Sequence, residues 1–157
     1  MSRARHRAQM LWCVATDATF SPAEFQGRAA FAGRCVHCNA QLVVTAEGDR
    51  ALRATLEHIV PRGRGGADAL DNLALACGRC NGAKGVRHDH KPRGDPDLEA
   101  MIERLRAKKS ERLREPPPWI ALPPHPDAAD APEPSLEEAP RAVDAPRLSR
   151  GRGRRRW

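Results

Sequence analysis

Residues 56–85 read LEHIVPRGRGGADALDNLALACGRCNGAKG, and this stretch decides how the rest of the chain is interpreted. It holds an acid–histidine pair, Glu57 and His58, followed by a glycine-rich loop and then by Asn72. A Cys-x-x-Cys pair comes next, and Asn81 follows it directly. Each feature alone is a weak signal. Because they occur in this order within one short span, we interpret them as parts of a single site.

Four of the five cysteines form two Cys-x-x-Cys pairs, Cys35 with Cys38 and Cys77 with Cys80. Two such pairs match the four-thiolate pattern of a structural zinc site. The segment between them exceeds the usual zinc-ribbon spacing and leaves room for a strand pair and the glycine loop. We therefore predict one structural Zn²⁺, which would contribute about 10–16 kcal/mol to folding. No βαβ pattern surrounds the pairs, so a redox protein is the least favoured class.

Two residues near these pairs are predicted to have no chemical role. Cys13 has no partner in any motif and is expected to be a small buried hydrophobic residue, in preference to a reactive thiol. His37 lies inside the first pair, but the set of four ligands is complete without it, so we expect it to be exposed.

Glu57, His58 and Asn81 offer the groups that phosphodiester hydrolysis needs. Histidine is the residue type best suited to act as a general base near neutral pH, and His58 is the candidate. The carboxylate of Glu57 and the amide oxygen of Asn81 suit Mg²⁺ or Mn²⁺. Adjacent strand residues point to opposite faces, so Glu57 and His58 can share a site only if the strand ends or twists there. Pro61 and the glycines after it permit that.

Together the motifs resemble the HNH nuclease family, and the resemblance covers roughly residues 34–87. The segment from Glu57 to Pro61 is similar to the acid-His-hydrophobic-x-Pro signature of that family. The resemblance implies a small α+β fold, a ββα-metal finger carrying a four-cysteine zinc site. It also implies a DNA-cutting enzyme in which His58 is the general base and Glu57 and Asn81 hold the catalytic metal.

The same resemblance implies further roles. Asn72 matches the middle asparagine of the HNH triad, which holds the loop in place, and Lys84 matches a lysine that lies near phosphate. The acidic residue is Asp or His in many members, so Glu57 keeps the carboxylate but lengthens its reach. His88 and His90 follow the predicted helix and could replace or assist Asn81 as metal ligands.

The charge of the chain points to an acidic partner. Its net charge is +7, and residues 1–115 hold 20 Lys and Arg against 14 Asp and Glu, a surplus of +6. Such a surplus is typical of proteins that meet phosphates, although a solvated basic surface explains the charge equally well. Predicted DNA contacts are Arg62, Arg64, Arg79, Lys84 and Arg87. No recognition module is evident, so specificity is expected from a partner protein or from the tail, and the oligomeric state stays open.

The chain divides into four predicted segments. Residues 1–26 pack on the domain or are partly ordered, and residues 27–94 form the HNH domain with its zinc knuckles. Residues 95–115 form an amphipathic basic helix with Asp95 as its N-cap. Residues 116–157 carry ten of the fourteen prolines and are predicted to be a disordered tail with a basic end.

Within the HNH domain, alternation of apolar and polar residues predicts one strand over residues 51–59, with Thr55 and Glu57 on its open face. A second strand is expected from Leu73 to Ala76 and a helix from Cys80 to Arg87.

No apolar run reaches the length of a membrane span or of a secretory signal, so we expect a cytoplasmic protein without a membrane partner. Thiols stay reduced there, which favours metal binding over disulfides. The leading hypothesis is a metal-dependent HNH endonuclease. The alternative is a non-catalytic zinc module that binds nucleic acid or protein, and the presence of His58 in its motif distinguishes the two.

Overall fold

The computed structural model of the chain describes residues 2–128, and these adopt a small α+β fold, as predicted. The elements, in chain order, are α1 (Arg3–Thr16), β1 (Ser21–Phe25), β2 (Arg28–Arg34), β3 (Gln41–Thr45), β4 (Arg50–Leu52), β5 (Ala54–His58), β6 (Leu73–Cys77), α2 (Gly78–Arg87) and α3 (Pro96–Arg112). None of these helices is long and apolar enough to cross a bilayer.

The strands form two antiparallel sheets. The first has the order β1-β2-β3-β4, and the second is the β5–β6 hairpin. In the hairpin Ala54 pairs with Cys77 and His58 pairs with Leu73. Helix α2 begins at Gly78, immediately after β6, and contacts both hairpin strands. The hairpin and α2 therefore form the ββα unit expected from the motif order.

Helix α1 supplies much of the core. Its apolar residues Met10 and Val14 are fully buried, and the helix contacts β3 and β6. Phe20 follows the helix and is also fully buried, in contact with Gly33, where any Cβ would come within 2.4 Å of the Phe20 ring. The N-terminal residues thus cover the hairpin and tie it to the first sheet.

The prediction of one continuous strand over residues 51–59 is wrong. Strand β4 belongs to the first sheet and β5 to the second, and Arg53 between them has a left-handed backbone with φ of 57°. The predicted open face is also wrong at Glu57, whose relative exposure is 0%. Alternation describes a strand with one solvated face, whereas α2 covers this face of β5.

Helix α3 is a docking helix. Asp95 caps it by accepting hydrogen bonds from the backbone N–H groups of Asp97 and Leu98, as predicted. Leu98, Ile102 and Leu105 are buried on one face. Two of its lysines bind backbone carbonyls: Lys108 donates to His37 O at 3.0 Å, and Lys109 donates to the carbonyls of Leu70, Asp71 and Leu73.

The predicted disordered tail starts too early, because residues 116–128 pack on the domain. Ile120 is buried, and the Trp119 ring lies 5.8 Å from that of Phe31. Trp12 Nε1 donates to Pro123 O at 3.1 Å, and Asp127 accepts from the backbone N–H of Leu70. A few apolar side chains anchor this proline-rich stretch to the domain. The average composition of the segment, on which the prediction of disorder rested, does not reveal such anchors. The rest of the predicted tail lies outside the described residues.

Candidate functional site

The four cysteines of the two Cys-x-x-Cys pairs meet at one point. The Sγ atoms of Cys35, Cys38, Cys77 and Cys80 all lie within 4.8 Å of one another, and those of Cys38 and Cys77 are 3.9 Å apart. Zinc–sulfur bonds of about 2.3 Å in a tetrahedron require sulfur atoms a little under 4 Å apart. The residues therefore fit a four-thiolate zinc ion, and we describe this quartet as a metal site.

Backbone groups support the quartet. The N–H of Cys77 donates to Cys35 Sγ at 3.2 Å, and the N–H of Cys80 donates to Cys77 Sγ at 3.4 Å. A hydrogen bond from the backbone N–H of Ala40 lowers the pKa of Cys38 to about 7. Cys13 lies apart from the quartet and is buried, and this burial raises its pKa to about 12. It is therefore an inert core residue, as expected.

Glu57 is enclosed by two cationic or potentially cationic side chains. Its Oε1 lies 2.9 Å from Lys84 Nζ, and its Oε2 lies 3.1 Å from His37 Nε2. The Oε1 contact is ionic without the alignment of a hydrogen bond. Lys84 also donates to His58 O and to Asp89 Oδ1, each at 2.8 Å. A buried carboxylate needs such compensation, because removing a lone charge from water is costly.

This arrangement differs from two expectations. The side chain of His37 is only 9% exposed and holds Glu57, so the expectation that it is exposed is wrong. The side chain of Lys84 is 1% exposed and has only internal partners, so in this structure it is not available to a phosphate. Burial is a tertiary property, and a lysine on a short glycine-rich helix gives no local signal of it.

His58 lies at the end of β5 and faces a different partner, Asp68. The distance from His58 Nε2 to Asp68 Oδ1 is 2.6 Å, and Arg62 Nε lies 2.8 Å from the same oxygen. Burial alone would raise the pKa of Asp68, but the bonds from His58 and Arg62 outweigh it and hold this pKa below its usual value. The sequence analysis did not identify Asp68. The only sign of it in the sequence is an acidic residue in the loop that follows His58.

Asn72 anchors that loop. Its Oδ1 accepts from the N–H of Val60 at 2.8 Å, and its Nδ2 donates to Val60 O at 3.0 Å and to Ala67 O at 2.9 Å. Gly66 packs against the same point, where a Cβ would lie 1.9 Å from Val60 O. Only glycine permits this close approach of the loop to the end of β5.

Asn81 lies in the first half of α2 and contacts β5. Its Nδ2 donates to Leu56 O at 2.8 Å and to Thr55 Oγ1 at 3.2 Å. These bonds use the amide nitrogen and leave the amide oxygen as the atom that could bind a cation. His88 and His90 follow the helix, and His90 O accepts a hydrogen bond from Arg64.

The residues predicted to hold a catalytic metal are not arranged to coordinate one in this structure. Within residues 2–128, the cysteine quartet is the only group of three or more His, Cys, Asp or Glu side chains placed to hold a metal ion. Both oxygens of Glu57 face Lys84 or His37, while His58 bonds to Asp68. As they stand, the residues do not fit a resident divalent ion, because Lys84 already neutralises the carboxylate that would bind it.

The predicted DNA-contacting arginines differ in their surroundings. Arg62 is bound to Asp68, and Arg64 donates to the carbonyl of His90. Arg79 and Arg87 on α2 are exposed. The guanidinium groups of the two α2 arginines are therefore more available to a DNA phosphate than those of Arg62 and Arg64.

Comparison with known proteins agrees with this geometry. Residues 35–87, about a third of the chain, match the family model described as HNH endonuclease. The matched segment runs from the first zinc-site cysteine to the last residue of α2, and so contains the whole ββα unit. This segment is therefore similar to HNH endonucleases, and the cysteine quartet within it is consistent with the subtype that has a four-cysteine metal site. No curated protein and no solved structure matches the chain.

Proposed function

We propose that this chain is an HNH endonuclease that hydrolyses phosphodiester bonds in DNA, with His58 as the general base. The family match supports nuclease-type function in general. The observation that carries the specific proposal is the contact of 2.6 Å between His58 Nε2 and Asp68 Oδ1.

This contact supports one nitrogen of His58 as the base. An ionised carboxylate only accepts hydrogen bonds, so Nε2 carries the proton and donates it to Asp68. Arg62 Nε, 3.1 Å from Nε2, then donates to Asp68 and not to the ring. The lone pair is left on Nδ1, which can accept a proton from water. A carboxylate that fixes the tautomer in this way also stabilises the protonated ring.

The position of the ring suits this chemistry. The side chain of His58 is 18% exposed, so solvent or a substrate can reach it while its orientation is held by Asp68. Asn72 fixes the loop that carries Asp68, and Arg62 adds a positive charge beside the ring. A phosphate approaching Nδ1 would therefore meet a positioned base and a neighbouring guanidinium.

Mg²⁺ or Mn²⁺ is the proposed catalytic cofactor, which Glu57 and Asn81 would hold only in an arrangement different from the one described above, since that one does not fit a resident ion. Binding there requires Lys84 to leave Glu57, since the two are in contact in this structure. The ion would supply charge neutralisation on the scissile phosphate.

A second candidate is a non-catalytic zinc module that binds nucleic acid or protein. The contact between Glu57 and Lys84 favours it, because this pair occupies the place where an HNH enzyme would hold a metal.

A plasmid-nicking assay with Mg²⁺, Mn²⁺ or no added metal separates the two candidates. His58→Ala should lower the rate by about 10²–10⁴-fold, the usual contribution of a positioned general base. His6→Ala, a histidine on α1, is the matched control and should cut like the parent. Circular dichroism and zinc content should be unchanged in both. If His58→Ala cuts as fast as the parent, the assignment of the base is wrong and the binding module is the better description.

A further inference from the structure

A cavity of about 610 Å³ lies beside the metal quartet, where the turn between β4 and β5 meets the start of α2. Three arginines line it: Arg50, Arg53 and Arg79. All three are exposed, and no Asp or Glu is among the lining residues. Within residues 2–128, none of their guanidinium groups has a hydrogen bond or ion pair, in contrast to the paired Arg7, Arg62 and Arg112.

The backbone at Arg53 is held in an unfavourable conformation that shapes this cavity. Its φ of 57° is left-handed, a region that residues other than glycine rarely adopt. A bridge to Val43 and a hydrogen bond from the N–H of Gly78 to Arg53 O, 3.1 Å long, hold it there. The second contact joins the segments that carry Arg53 and Arg79, and Arg50 lies three residues before Arg53 in the chain, so the cluster is built into the fold.

The charge of the cavity stays positive after the metal site is counted. Cys38 and Cys77 line it, and a zinc ion with four thiolates carries a net charge of about −2. Three guanidinium groups exceed this, and the N-terminus of α2 adds a partial positive charge. Guanidinium groups bind phosphate oxygens in a bidentate manner, which makes phosphate the anion that the cluster suits.

We propose that this cavity, the Arg50–Arg53–Arg79 pocket, binds a phosphate group of the nucleic-acid strand away from the scissile bond. The choice of nucleic acid rests on the proposed function. Thr55 lines the pocket, and His58 lies three residues further along β5, a separation of about 10 Å at the rise of a strand, with its side chain on the opposite face. The two places lie near opposite ends of β5, within the span of a short duplex, so the pocket would position the substrate relative to His58.

The test measures binding of a short labelled duplex to the full chain by fluorescence anisotropy, without added Mg²⁺, over about 50–200 mM salt. The variants are Arg50→Ala, Arg53→Gly and Arg79→Ala. Arg53→Gly is the most informative, because glycine adopts a left-handed backbone without strain and the variant should fold. Arg106→Ala is the control, since Arg106 lines a different cavity with Trp12 and Leu113.

Each pocket variant should weaken binding and lower the slope of log affinity against log salt by about 0.9 for each phosphate that the protein no longer neutralises. The Arg106 control should match the parent in both affinity and slope. Duplexes with a 5′-phosphate or a 5′-hydroxyl distinguish the source of the phosphate. Equal weakening on both duplexes indicates an internal diester, whereas weakening confined to the phosphorylated duplex, with competition by inorganic phosphate, indicates a strand end.

The proposal is overturned if Arg53→Gly and Arg79→Ala bind with the affinity and slope of the Arg106 control. That result leaves the nuclease assignment standing if His58→Ala still abolishes cleavage. Conversely, if the pocket variants lose affinity while His58→Ala cuts like the parent, the pocket stands and the assignment of His58 fails.

Discussion

Lys84 Nζ lies 2.9 Å from Glu57 Oε1, and the two side chains are 1% and 0% exposed. The pair joins α2 to β5 inside the ββα unit, where His37 closes the other side of the carboxylate. In this state Glu57 is a structural counter-ion, and any cation that uses it must compete with Lys84. The pair is therefore the feature that connects the stability of the domain to its proposed chemistry.

Removing one partner of this pair should be far more harmful than removing both. Lys84→Met leaves a buried carboxylate with only His37 beside it, and we expect a loss of about 3–5 kcal/mol in the free energy of unfolding. The double variant Glu57→Gln, Lys84→Met should lose less than the sum of the single variants. Urea unfolding of all four proteins measures this, and strictly additive losses would show that the pair is not coupled.

The cysteine quartet should bind one zinc ion per chain. Cys77→Ser removes a ligand whose Sγ lies 3.9 Å from that of Cys38, and it should lose the metal and with it most of the folding free energy. Cys13→Ala is the matched control, because Cys13 is buried outside the quartet and should keep its zinc. Elemental analysis and circular dichroism are the measurements. A cooperative, zinc-free fold of the parent would contradict the prediction.

Asp68→Asn should impair cleavage without removing the general base. An amide is a poorer partner than a carboxylate and no longer fixes the tautomer of His58, so we expect a rate loss of about 10–100-fold. Matched binding of substrate by parent and variant would show that the loss is chemical, and an unchanged rate would remove Asp68 from the mechanism.

The same variant has a consequence for acid stability. Hydrogen bonds from His58 and Arg62 outweigh burial and hold the pKa of Asp68 below its ordinary value of 3.8. The ionised form therefore stabilises the folded protein above pH 3.8, and this contribution is lost as the pH falls through the lowered pKa. Asp68→Asn should flatten that part of the acid-unfolding curve, while stability near neutral pH falls.

Ile120 should be part of the core although it lies in a proline-rich segment. Its relative exposure is 7%, so Ile120→Ala should cost about 2–5 kcal/mol in the free energy of unfolding. Leu113→Ala is the control, since Leu113 is 62% exposed and should change stability by less than about 0.5 kcal/mol. Equal effects of the two substitutions in urea unfolding would mean that residues 116–128 do not stabilise the domain.

Sequence patterns were sufficient to predict the features that depend on residues close together in the chain. The capping of α3 by Asp95, the ββα order and the pairing of Cys35 and Cys38 with Cys77 and Cys80 were all predicted from spacing. Turn, cap and metal-ligand preferences act over a few residues, so sequence patterns report them well. The assignment of His58 to a strand end before a glycine loop belongs to the same class.

The failures share one physical cause, which is that burial and pairing are set by distant elements. Glu57 was placed on an open strand face, yet α2 covers it and Lys84 neutralises it. His37 was expected in solvent, yet it binds Glu57 from a loop twenty residues away in the chain. Helix α1 and residues 116–128 meet through Trp12 and Pro123, a contact that no local pattern encodes.

The sequence by itself determined the similarity of residues 35–87 to HNH endonucleases, the cysteine quartet and the identity of the candidate base, because these follow from residue types at short, fixed spacing. Only the tertiary structure decided what surrounds them. It placed Asp68 against His58, closed Lys84 over Glu57, and gathered Arg50, Arg53 and Arg79 at one cavity. Electrostatic partners are chosen by distance in space, and the fold alone brings residues from separate segments within reach of one another.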